Sequence, residues 1–266
     1  MNLLLAIRLV QIIISFAVLI QTIEYLLIKE SFSESGVWRW KEIQVELHFL
    51  PSWAQAVFNF FLNEHNFPIL LWIRLSCALL VIFFPAGSLF LFLFFSSLLI
   101  AQRFRGSFNG GSDYMSLIIL MALSIQGLFP TLLITKGVLW YIALQSATSY
   151  FMAGLVKLKL NSWRTGSALG DFIQSPNYNP PIWIKWFAQH QTFNFSASWL
   201  IMIFEISFPL ILIQQHLVVS VWLLVAFAFH FLNVFVFGLN RFLIVWLASY
   251  PAIYFCAFEN IFSNSP

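Results

Sequence analysis

The stretch LVVSVWLLVAFAFHFLNVFVF, Leu217–Phe237, carries no charged side chain, and its reading decides the class of fold. About 20 consecutive apolar residues form a helix long enough to cross the hydrocarbon core of a bilayer. Only His230 and Asn233 break the run strongly, and three residues apart they project from one helical face. The rest of the chain has the same character: 61% of its residues are hydrophobic and only 9% are charged, against roughly a quarter charged in soluble domains. The expected fold is therefore all-α, a polytopic integral membrane bundle.

Working outward, apolar runs over residues 3–28, 69–84, 86–102, 115–134, 137–156, 197–213 and 242–258 qualify as further spans, about eight in all. The first is too long for the apolar region of a signal peptide, lacks a small-residue cleavage site and carries Arg8 and Glu24, so it reads as a retained helix. Between the second and third, Pro85 to Gly87 marks either a tight hairpin or one broken element. Two long connections carry helical periodicity of their own. In one, Trp53, Ala56, Val57, Phe60 and Phe61 share a face behind Ser52, a candidate N-cap; in the other, Trp183, Trp186, Phe187 and His190 do. Both read as amphipathic helices at the membrane interface. Residues 1–258 thus read as one transmembrane domain and 259–266 as a short C-terminal tail.

Charge and cysteine content exclude several classes. A net charge of +3, dispersed along the chain, does not suit nucleic acid, so the bilayer is the expected partner. Cys77 and Cys256 both lie in apolar runs and offer neither a disulfide framework nor a metal-ligand pattern. With eight spans, nearly every Lys and Arg, Lys157 included, falls on one side and Lys136 on the other. The positive-inside rule puts the basic side in the cytoplasm. Nothing in the sequence sets an oligomeric state.

Some polar residues sit where they are expensive. Glu205 lies in the middle of the apolar run SWLIMIFEISFPLILI and needs a partner in the bundle interior, with Arg74, His230 or a serine as candidates. His230 and Asn233 suit hydrogen bonds across helices. The loop RFRGSFNGGSDYM, residues 103–115, supplies Arg103, Arg105, Asn109 and Asp113 around flexible glycines, with no phosphate-loop signature. In SYFMAGLVKLKLNSWRTG, residues 149–166, Lys157 and Lys159 end a span. Lysines there commonly snorkel to the headgroups. An amine partly withdrawn from water instead gives up its proton more readily and serves as a general base.

YFMAGLVKLKLNSW, residues 150–163, resembles the active-site lysine segment of the vitamin K-dependent γ-glutamyl carboxylases. HFLNVFVFGLNRFLIVWLASYP, residues 230–251, is similar in an ungapped frame to a later membrane segment of the same family, with His230, Asn233, Phe242, Leu247, Ala248, Ser249 and Pro251 at matching positions. The resemblance covers the membrane portion and points to the wider group of horizontally transferred transmembrane (HTTM) proteins.

The resemblance implies that Lys157 is a catalytic base acting on reduced vitamin K or another quinol. The deprotonated quinol reacts with O2 to give a strong base, which removes a γ-proton from glutamate, and CO2 traps the carbanion. His230, Asn233, Glu205 and Asn109 become cofactor-binding candidates, with Arg103, Arg105, Lys157 and Arg164 near one mouth of the bundle. A secreted or membrane-associated peptide becomes the substrate, and a prokaryotic plasma membrane the expected location. The family's lysine faces the lumenal side, opposite to the charge count, and both orientations stay open. Two departures bear on activity. The family's histidine-bearing stretch corresponds here to NGGSDYM, which has no imidazole and offers Asp113 instead; and the sequence runs only to Pro266, so the soluble propeptide-recognising portion is not expected in it. The alternative reading is a non-carboxylating HTTM protein that assists maturation or export of a secreted peptide, of the sporulation-delaying type.

Overall fold

A computed structural model describes residues 1–105, 111–213 and 216–258. Every regular element among them is helical. Five helical segments are long and apolar enough to cross a membrane: Leu3–Leu27, Asn66–Phe83, Gln191–Ile213, Leu217–Phe237 and Asn240–Phe258. Gly87–Arg103 and Asp113–Leu128 are shorter apolar helices. The chain is a membrane protein, and it divides into two compact units, Arg8–Val138 on one hand and Met1–Ile7 with the chain from Leu139 onward on the other.

The first unit holds most of α1 (Leu3–Leu27), the short α2 (Trp40–Ile43), α3 (Ser52–Leu62), α4 (Asn66–Phe83), α5 (Gly87–Arg103), α6 (Asp113–Leu128) and the start of α7 (Leu132–Lys159). Residues 84–86 are a break between two separate packed helices, α4 and α5. Helices α5 and α6 meet backbone to backbone at Gly87 and Gly127, where a Cβ added to either would lie 2.5 Å from the other strand of main chain. Small residues permit such contacts in membrane bundles, where dispersion replaces the hydrophobic drive.

The expected span over 115–134 is two residues longer at its start and ends six residues early. Pro130 disfavours helical geometry at Phe129, and Thr131 then opens α7, its Oγ1 accepting from the Ile134 N–H at 3.2 Å. The N-cap of α3 is Pro51, and Ser52 is already helical. Its apolar stripe splits. Trp53, Val57 and Phe60 are exposed, while Phe61 joins a buried cluster with Phe32, Trp40, Leu62 and Phe67.

Two guanidinium groups are fully buried in this unit. Arg74 reaches Thr22 (3.1 Å), Gln21 (2.8 Å), Ser96 (2.6 Å), Ser97 (2.9 Å) and the Leu93 carbonyl (3.0 Å). Arg103, expected at an open mouth, instead ends α5 inside the protein. It donates to the carbonyls of Phe32 (2.5 Å) and Leu62, with its guanidinium carbon 5.1 Å from the Phe67 ring centre. The fork satisfies two carbonyls at once and lies against aromatic faces, and lysine can do neither as well. Arg103→Lys is expected to lower stability by about 1–3 kcal/mol, read as a fall in melting temperature in detergent.

The second unit continues α7 and adds α8 (Asn161–Thr165), α9 (Ser167–Gln174), α10 (Ile182–Phe187), α11 (Gln191–Ser207), α12 (His216–Phe237) and α13 (Asn240–Phe258). After Ser207 the chain tightens into a 3-10 turn, Phe208–Ile213, because Pro209 has no N–H for the next α-helical bond. Trp183, Trp186 and Phe187 on α10 are exposed, and His190 lies past its end with its ring 4.7 Å from that of Trp186. Gly166, at φ +82°, turns α8 into α9 in a left-handed conformation that glycine adopts without strain. A Cβ there would also lie 2.4 Å from the Phe195 nitrogen on α11. The reading of 259–266 as a tail falls outside the described residues.

Candidate active site

Gly154 positions the site. On α7 it lets the backbone press against α11, where an added Cβ would stand 2.9 Å from both the Glu205 Cβ and the Ile206 nitrogen. One turn later along α7, Lys157 therefore reaches across to Glu205. Its Nζ donates to both carboxylate oxygens at 2.7 Å. The Glu205 side chain is 4% exposed and that of Lys157 is 20% exposed. The partner of Glu205 is thus Lys157, not Arg74, His230 or a serine as the sequence reading expected. Trp163 of α8 covers the amine, with Nζ 5.3 Å from its ring centre, a cation–π contact.

The pair borders an open-mouthed cavity of about 330 Å³ lined by α7, α8, α9, α11, α12 and α13, within the size range of small-molecule sites. Lys157, Glu205, His230 and Asn233, four of the five residues singled out by sequence, all line it. The fifth, Asn109, lies outside the described residues. Asp113, in the other unit, accepts a bond from Gln21 at 3.2 Å. Most of the remaining wall is aromatic, including Tyr150, Trp163, Phe172, Tyr178, Phe229, Phe242 and Trp246.

Tyr150 is the residue that the sequence reading missed. Its phenol and the Nε2 of His230 are 2.5 Å apart, its ring stacks on Phe208 at 3.9 Å, and the His230 ring stacks on Trp246 at 5.3 Å. His230 Nδ1 has no hydrogen-bond partner among the described residues. Asn233 gives its amide hydrogen to the Phe229 carbonyl one turn back, at 2.9 Å. The signal for Tyr150 lay in its seven-residue spacing from Lys157, two helical turns along one side of α7.

The fold and site together define a class: a helical membrane protein in which an ion-paired lysine meets a flat-walled aromatic chamber. No family model, curated protein or solved structure matches the chain.

Proposed function

We propose that the chain is a multi-pass enzyme of the HTTM, γ-glutamyl carboxylase-like kind in a prokaryotic plasma membrane, with Lys157 as the base toward a reduced quinone held in the cavity. The observation that carries the reading is the placing of Lys157, paired with Glu205, on the wall of an aromatic cavity that also takes in His230 and Asn233. In this reading α1, α4, α5, α6, α7, α11, α12 and α13 are the eight crossings. The shortest, α6, has 16 residues and spans about 24 Å.

The wall fits such a ligand. Aromatic rings on the wall accept a flat ring by stacking, and the amide of Asn233 is a polar point for its oxygens. When bound, the reduced quinone supplies with oxygen the strong base that takes a γ-proton from peptide glutamate, where carbon dioxide adds. The chain's own contribution is proton handling at Nζ. An ammonium has no lone pair, so the pair works by moving its shared proton from Nζ to a Glu205 oxygen over 2.7 Å. The transfer leaves both partners uncharged and frees the lone pair of Nζ. The freed amine then accepts a proton from the ligand. Trp163 covers one side of the amine.

The test is mass spectrometry of secreted glutamate-rich peptides co-expressed with the protein, with and without quinol. Added carbon dioxide on glutamate that depends on quinol is the expected result. Quinol binding without any such addition favours the second reading, peptide maturation or export without carboxylation. That reading draws on NGGSDYM, which offers no imidazole where the carboxylases carry one.

A further inference from the structure

The polar groups of the cavity differ in what they ask of a ligand. Asn233 sits on α12 with its amide nitrogen bonded to the Phe229 carbonyl at 2.9 Å. A carbonyl only accepts, so the amide orientation is set: nitrogen toward Phe229, oxygen away from it. Asn233 Oδ1 receives no hydrogen bond from any described residue, and Asn233 is part-exposed on the cavity wall. Ser149 of α7 behaves alike. Its hydroxyl hydrogen goes to the Gln145 carbonyl at 2.8 Å, which leaves the oxygen lone pairs as its remaining capacity. Away from the Lys157–Glu205 pair, these two acceptors on the cavity wall lose their water partners when a ligand enters. Only a ligand that carries hydrogens on its own oxygens replaces them.

We propose that Asn233, supported by Ser149, is the specificity-determining residue by which the cavity distinguishes a dihydroxy aromatic ring from the corresponding dione. The inference rests on the quinol reading above and concerns which redox state is held. The diol meets Oδ1 with an O–H, whereas the dione meets it lone pair against lone pair. Lys157, once its proton has moved to Glu205, also accepts from the diol, and the variants below separate its share from that of Asn233. Selection of the diol keeps the dione, which carries no hydroxyl hydrogen to offer Oδ1, from occupying the site.

Binding of one redox form more tightly shifts the midpoint potential of the bound couple, so the test needs no turnover. The purified full chain in nanodiscs is titrated anaerobically with 2-methyl-1,4-naphthoquinone and its diol, against empty nanodiscs. The expected result is about tenfold tighter diol binding, a positive shift of about 30 mV for two electrons. Asn233→Leu should abolish most of it while the dione binds as before. Should Asn233→Leu not fold, Ser149→Ala, which keeps the helix, should reduce the shift in part. A wild-type protein with no shift, or a shift unchanged in whichever variant folds, overturns the proposal. Lys157→Ala, which removes the amine as an acceptor, should still show the part of the shift that Asn233→Leu removes. A wild-type protein that shows the shift yet adds no carbon dioxide to glutamate counts against the function proposed above and not against this one.

Discussion

Replacement of Lys157 by alanine is expected to lower quinol-dependent turnover by about 10²–10⁴-fold, the range that a positioned general base supplies. The same change leaves Glu205 as an unpaired carboxylate with 4% of its side chain exposed. Breaking a fully buried pair costs about 3–5 kcal/mol; partial solvent access to Lys157 brings the expected cost below that range. A fall in activity from this variant alone therefore mixes chemistry with folding. The double variant Lys157→Met/Glu205→Gln separates them, since it is uncharged and close in volume. Its melting temperature should return to that of the wild-type protein, and its turnover should not. Full quinol-dependent activity in the double variant would sink the assignment of Lys157 as the base.

The second large effect is expected at Gly154, which touches no ligand. A Cβ there stands 2.7 Å from Ile206 Cγ1 and 2.9 Å from the Ile206 nitrogen, and the latter is backbone that cannot swing aside. Gly154→Val must push α7 away from α11, with an overpacking cost of about 1–3 kcal/mol. The same displacement lengthens the 2.7 Å contacts between Lys157 and Glu205. Turnover should thus fall with both catalytic groups still present. Gly137, on the same helix with nothing within 4 Å of its added Cβ, is the control: Gly137→Ala should be stabilising by about 0.5–1 kcal/mol. If Gly154→Val melts and turns over like wild type, the close approach is not what sets the pair.

The fold was legible where one kind of side chain ran unbroken, and the site was legible only in part. Leu217–Phe237 was bounded by the sequence reading as the structure bounds that span, because hydropathy needs no knowledge of neighbours. The α6–α7 boundary was misplaced because apolar content continues through Leu128 and Phe129, while the break depends on backbone chemistry at Pro130 and Thr131. Arg103 looked like a surface charge because sequence position shows a helix end but not the shell of carbonyls and rings around it. Glu205 was recognised as needing a partner, yet Lys157 lies 48 positions away. Periodicity says nothing about which helix a face meets. Only the absent side chain of Gly154 brings those two together, and a glycine in an apolar helix carries no obvious mark of that role.

The Lys157–Glu205 contact also has an electrical side. Two opposite charges 2.7 Å apart sit at almost one depth in the membrane field. A membrane voltage does about 2.3 kcal/mol of work per 100 mV on a full charge moved across the bilayer, but almost none on a neutral couple, and moving the proton within the couple leaves it neutral. When a ligand hydrogen arrives at the amine the pair becomes cationic and the ligand anionic, so the site as a whole stays neutral. Turnover limited by this proton transfer should therefore be nearly independent of voltage in a polarised proteoliposome, and a steep dependence would point to a different rate-limiting step.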